Sequence, residues 1–268
     1  MKVISLVNGS LTSHTTAVFA LHYAKQLKFD FCLIYIQEEE TSQVVQNSIE
    51  DIEDLASSLG VQNHFLTLQS LEELKQFVES KDIDTLFCST RQNKTIYDRS
   101  FLTRILHMQI KVDVAVVKVV KIGRAYNIDK IIMPIRDAKL SVNKFTLFST
   151  FSLSYDAKSE IYSVDKISKI DFSKKTVEVI RQRLQEIIFN LRHYLRLGKM
   201  MNFKFAIRHD YAFVEGDKIQ EHIANHGYDL IIIGGHHSKG LFWKHPIDIL
   251  FEKPLTNTIY FIPYKDVE

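Results

Sequence analysis

Two apolar patterns alternate along this chain. One is a short run, apolar on consecutive positions, that stops at a turn: residues 2–10 (KVISLVNGS), 31–36, the DTLFCSTRQ that starts at Asp84, and 112–120 (VDVAVVKVV). Three of these forms return in the same order after residue 128, as 130–137 (KIIMPIRD), the DLIIIGGHH that starts at Asp229, and 258–264 (TIYFIPY). Runs without polar alternation fit strands of a parallel sheet that is covered on both faces.

Between the runs the apolar spacing changes to three and four. Residues 13–27 place Ala17, Ala20, Leu21, Ala24 and Leu27 on one helical face, behind Thr12 or Ser13 as cap. Residues 48–59 end at Gly60 as a helix should, and 70–80 form a helix of capping-box type, with Ser70 three positions before Glu73. In the second half Val177, Ile180, Leu184, Ile187, Ile188, Leu191 and Leu195 predict a long amphipathic helix with one core-facing stripe. Residues 217–226 read as another. The segment 145–155 (FTLFSTFSLSY) predicts a helix packed between the halves, with a strand as the alternative.

Strands alternating with helices are the mark of βαβ units, and here one order of parts occurs twice. The chain is therefore expected to be α/β, with domains at 1–122 and 128–268. The connection, residues 121–127 (KIGRAYN), is short enough for the two to pack together. At 268 residues there is ample length for both cores. A net charge of +2 provides no chain-wide field for nucleic acid or an acidic membrane. The start lacks the apolar region and cleavage site of a signal peptide, and no run reaches the roughly 20 apolar residues that span a bilayer. A cytoplasmic protein with no membrane insertion is expected. Cys32 and Cys88 lie in apolar runs without a CxxC pattern and are read as core residues.

The polar loop after the fourth strand of the second half, DLIIIGGHHSKG, is the main chemical candidate. In a parallel sheet ligands bind beyond the carboxyl ends of the strands. Gly234 and Gly235 let the backbone approach an anion, and His236 and His237 either donate to phosphate or are plain polar loop residues. Gly235 and Gly240 are spaced as in a P-loop, but Leu241 and Phe242 follow where Lys and Ser/Thr are required, which excludes Walker A chemistry. Phe242 and Trp243 beside Lys244 read either as a stacking platform for a base or as a plug over the sheet's open end.

With an opening strand (KVISLVNGS, KIIMPIRD), an apolar strand that runs into a polar loop (DTLFCSTRQ, DLIIIGGHH) and a closing apolar strand in each half, the chain resembles a tandem universal stress protein over nearly its whole length. The resemblance implies two Rossmann-like domains of the adenine nucleotide alpha hydrolase type, each a five-stranded parallel sheet flanked by helices, with the last strands near the pairing surface. Members that bind ATP use an Asp after strand one and a G-x-x-G stretch followed by Gly and Ser/Thr. In the first half Asn8, Ser89 and Gln92 stand at the Asp and the two Gly positions, and Arg99 precedes the matching Ser100. In the second half Pro134 matches, Arg136 takes the Asp position with Asp137 one residue late, and Gly234 matches the first Gly. His237 replaces the second, Gly240 can relax the loop, and Pro246, Ile247 and Asp248 stand where Gly-Ser should. The implied cofactor class is an adenine nucleotide, ATP first, with binding weakened or lost.

Other polar groupings carry less. His222 and His226 share a helix face, as zinc ligands can, but the stronger reading is solvated side chains near the helix end. Arg208, His209 and Asp210 follow the strand FKFAI without any nucleophile motif and are read as surface residues. The expectation is a non-catalytic stress-response protein that binds a ligand or an unidentified protein partner, with intrachain pairing of its domains, a homodimer as a further arrangement, and no nucleic acid. The rival is slow Mg-dependent ATP hydrolysis through the second half, with Asp137 or Asp248 holding the metal.

Overall fold

The structure is a computed structural model and describes residues 1–37, 43–90, 104–105, 108, 110–135, 141–166, 177–234 and 249–264. In the first half β1 (Lys2–Val7), α1 (Leu11–Leu27), β2 (Asp30–Ile36), α2 (Gln43–Leu59), β3 (Asn63–Leu68), α3 (Leu71–Ser80), β4 (Ile83–Thr90) and β5 (Asp113–Lys118) follow in order. A 3-10 turn, Ile122–Tyr126, leads on. The second half holds β6 (Lys130–Ile135), α4 (Val142–Ser154), β7 (Lys158–Lys166), α5 (Val177–Met200), β8 (Ala206–Ala212), α6 (Glu215–His226), β9 (Leu230–Gly234), α7 (Ile249–Glu252) and β10 (Asn257–Ile262).

The strands order as β3-β2-β1-β4-β5-β10-β9-β6-β7-β8 in one ten-stranded sheet. Each half is a parallel set with the same internal order, first strand in the middle. Two separate five-stranded sheets were the expectation from the sequence; instead β5 and β10 pair antiparallel, Val117 against Ile259 and Ala115 against Phe261. Both strands are apolar on both faces, and left at an edge each would expose unpaired amides, so pairing them removes two edges at once. Because the junction is antiparallel, the carboxyl ends of the two parallel sets lie on opposite edges of the sheet.

Helices cover both faces. One face carries a core that runs through both halves, from Phe19 and Ala20 on α1 to Phe145 and Phe148 on α4 and Leu191 and Tyr194 on α5. The other face packs α3, α6 and α7 through residues such as Leu74, Ile219 and Phe251. Residues 145–155 do form the helix between the halves. Ala17, Ala20 and Ala24 of α1 are fully buried and leave room for α4, whose Phe151 meets Phe19 at 6.0 Å and Tyr23 at 5.6 Å between ring centroids. The connection 121–127 is fastened at both ends: Asn257 Oδ1 accepts from Val120 N and Lys121 N at 2.8 Å, and the Tyr155 hydroxyl donates to Ala125 O at 2.7 Å.

Local signals hold with shifts of a few residues. Ser10, rather than Thr12 or Ser13, caps α1, because Asn8 Oδ1 accepts from the Ser10 amide and hydroxyl and fixes the turn two residues earlier. Ser70 accepts from Glu73 N as predicted. On α5 the buried face runs through Ile187, Leu191, Tyr194 and Gly198, while Ile188 and Leu195 face solvent. A 3.6-residue period drifts off a stripe that steps from 188 to 195, so Tyr194 and Gly198 take the inner positions; the side chains of Val177, Ile180 and Leu184 lie outside the described residues. The strand expected at FKFAI starts later, at Ala206. Phe203 and Phe205 stack at 5.2 Å and pack on Phe145 instead, so the aromatic pair closes the core before the strand begins.

His22 lies on the contact between α1 and α4. Its ring rests on Tyr155 at 4.4 Å. Burial first, then the Lys25 charge, pushes its pKa down from 6.5 to about 4. The unfolded chain therefore takes up the proton first, and stability falls as pH drops from 6.5 towards 4. At roughly 1.4 kcal/mol for each tenfold, the loss is about 3 kcal/mol. Burial also lowers the pKa of His14 and His222, which adds in the same direction. Urea unfolding at pH 7 and pH 4 checks this, and His22→Phe, which keeps the stacking, is expected to flatten the profile.

Candidate functional site

At the switch point of the second half β6 lies beside β9. The two pair through Ile131 with Leu230 and Ile132 with Ile231. Pro134, further along β6, has no amide hydrogen to continue that ladder on its own account, and the strands part towards their carboxyl ends. This is where an open α/β sheet receives ligands. Pro134 is paired on its other side with Tyr162 of β7, and Gly234 ends β9.

The first turn of α4 leans over this crevice. Ser141 caps the helix and accepts from Lys144 N. The Lys144 stem lies across Gly234: a Cβ on Gly234 would stand 2.9 Å from Lys144 Cδ and 3.4 Å from its Nζ. The first turn of α4 and the Lys144 side chain thus meet at this strand end, with the lysine stem covering the Gly234 backbone. Sequence reasoning passed over Lys144. The available signal was a lysine three residues after a capping serine, in the helix that follows the opening strand.

The rest of the expected site is not brought into view. Arg136, Asp137, Gly235, His236, His237 and Gly240 lie outside the described residues, as do Phe242, Trp243 and Asp248. Next to the crevice, Asp113 Oδ1 accepts from Tyr264 N at 2.7 Å, and its Oδ2 lies 3.4 Å from Asn143 Nδ2.

The corresponding place in the first half is filled. Gly9 has φ +77°, and a Cβ there would stand 3.1 Å from Val45 N and 3.2 Å from Val44 C. The start of α2 therefore sits directly on the β1–α1 turn. His14 ties the same corner together, with Nδ1 3.2 Å from the Ser48 hydroxyl and Nε2 3.1 Å from the Tyr126 hydroxyl. Of the residues taken as family positions, Asn8 turns its side chain back to Ser10, and Ser89 lies within β4. Gln92, Arg99 and Ser100 are outside the described residues.

A second polar cluster lies between β7, β8 and α6. His222 is not solvated, as its place on a polar helix suggested, but buried at 5 % exposure. Its Nε2 stands 2.6 Å from Glu160 Oε1 and 3.1 Å from the Tyr228 hydroxyl, and its ring stacks on Tyr162 at 4.0 Å. Burial lowers its pKa, against the pull of Glu160, so a neutral imidazole donates to the carboxylate. Arg208 reaches Glu160 at 3.9 Å and His226 Nε2 at 3.1 Å, and the Tyr162 hydroxyl donates to Asp210 at 2.7 Å. Arg208 is exposed at the surface, as expected, yet joins this network, Asp210 is half-buried in it, and both sit in β8 rather than after a strand. Among the described residues no group of three or more His, Cys, Asp or Glu could hold a metal ion. Cys32 and Cys88 are buried, with thiol pKa values raised by desolvation to about 11 and about 12, as core residues would have. No helix among the described residues is long and apolar enough to cross a membrane.

No protein-family model matches the chain, and no curated protein matches its sequence. Solved structures do match. A universal stress protein from Archaeoglobus fulgidus aligns with a TM-score of 0.59 at 10% identity, over 97% of either chain. A functionally unknown protein from Pseudomonas aeruginosa aligns at 0.61 and 11% identity, over 98% of this chain and 92% of its own. The cytoplasmic domain of a prokaryotic cation chloride cotransporter aligns at 0.61 and 12% identity, over 98% and 95%. The likeness is one of fold: this chain has the universal stress protein fold along nearly its whole length.

Proposed function

We propose that this protein acts in a stress response by binding a ligand or partner without catalysis, and that its affinity for ATP is weak or lost. The halves, residues 1–122 and 128–268, are proposed as two domains held in one sheet. The observation that carries the reading is the occupied glycine. Where a nucleotide phosphate would have to approach bare backbone, the Lys144 stem lies on Gly234 in the second half, and Val44 and Val45 lie on Gly9 in the first. A small molecule received from Pro134 to Asp137 and Gly234 to Gly240, at the carboxyl ends of the strands, is the proposed ligand of the second half. Binding there would influence a partner only through different affinity for two states of the protein. Calorimetry with ATP, ADP, AMP and cyclic nucleotides, with and without Mg²⁺, is expected to give a Kd for ATP no tighter than about 1 mM and no turnover. A Kd of about 1 μM with hydrolysis that disappears in Asp248→Ala would replace this reading with the enzymatic one.

A further inference from the structure

The outward face of α5 combines two properties. Ile188, Phe189, Leu195 and Met200 are 56%, 61%, 52% and 82% exposed. Arg192, Arg196 and Lys199 are exposed on the same face. With 3.6 residues per turn, Ile188 and Leu195 lie along one margin, Phe189 and Met200 along the other, and the three cations form a row between them. From residue 187 to 209 there is no Asp or Glu, while Arg192, Arg196, Lys199, Lys204 and Arg208 all fall in that stretch. The whole chain has a net charge of only +2, so the cations are concentrated here. Towards the helix start, Phe189 borders a shallow depression with Gln182, Gln185 and Glu186, and that carboxylate makes the early turns the less cationic part.

We propose that the face of α5 from Ile188 to Met200 docks on an anionic lipid surface, with Ile188, Phe189, Leu195 and Met200 entering the headgroup layer and Arg192, Arg196 and Lys199 paired with phosphate or carboxylate groups. Charge selects this occupant. A second copy of the same face would set each cation row against another, which opposes self-association. A convex helix surface with apolar tips on both sides of a cation row fits a plane, in which apolar groups enter between lipids while long cationic stems reach the headgroups. The helix lies along the surface and does not cross it.

Flotation of the full chain with phosphatidylcholine vesicles containing about one third phosphatidylserine tests this. The protein is expected to float with these vesicles at about 0.1 M salt, to be released at about 1 M, and not to float with pure phosphatidylcholine. Arg192→Gln with Arg196→Gln is expected to weaken partition roughly 30-fold, at about fivefold per cation. Phe189→Ser is expected to weaken it as well, with the circular dichroism spectrum unchanged in both variants because the residues are exposed. Equal binding to neutral vesicles, no binding to anionic ones, or wild-type partition of the double variant would overturn the proposal. Binding of polyglutamate in place of vesicles would overturn it in favour of an acidic protein.

Discussion

Phe151→Ala is expected to destabilise the protein by about 3–5 kcal/mol, the usual cost of removing a large buried aromatic side chain. The ring has no exposed area. It sits on α4 of the second half, yet Phe19, Tyr23 and Phe87 of the first half all pack on it, with centroids at 6.0, 5.6 and 6.3 Å. The vacated space has no side chain free to refill it, since the neighbouring alanines of α1 are short. The continuous sheet adds a second shared element at β5 and β10. Both halves should therefore lose stability together, and urea unfolding followed by circular dichroism should show a single transition moved to lower denaturant. Two separate transitions, with only one of them moved, would mean that the halves fold independently of this contact.

Glu160→Ala is the second large effect, about 3 kcal/mol, because it leaves buried donors without their acceptor. The His222 Nε2 hydrogen and the Tyr228 hydroxyl would be left without their acceptor, and Arg208 would lose its nearby carboxylate. Glu160→Gln retains an acceptor oxygen of the same reach and should cost about 1–2 kcal/mol. Thermal unfolding of the two variants at pH 7 separates the cases. Equal losses would show that the charge, and not the hydrogen bonds, holds the cluster together.

Much of this architecture was legible in the residues. The short apolar runs within 2–7, 83–90, 130–135 and 230–234 pointed to covered strands, and the cap at Ser70 with Glu73 marked a helix start where one occurs. The composition of segment 145–155 favoured a helix between the halves over a strand, and the helix Val142–Ser154 occupies that place. What escaped depended on partners distant in sequence. Nothing local to 113–118 or 257–262 says whether two apolar strands will pair edge to edge, so the single sheet was not visible. His222 looked solvated because Glu160, 62 residues away, was not known to face it. Lys144 gained its meaning only when α4 was laid over Gly234. The polar loops that carry Arg136, Asp137, Gly235, His236, His237 and Gly240 offered little beyond composition, since a loop without periodic spacing holds no folding signal of its own.

Weak or absent binding of ATP is the point on which the proposed function turns. Native mass spectrometry of the freshly purified full chain tests it directly. The bare chain, or the chain with a small non-nucleotide ligand, is the expected species. One retained ATP or ADP per chain would contradict it.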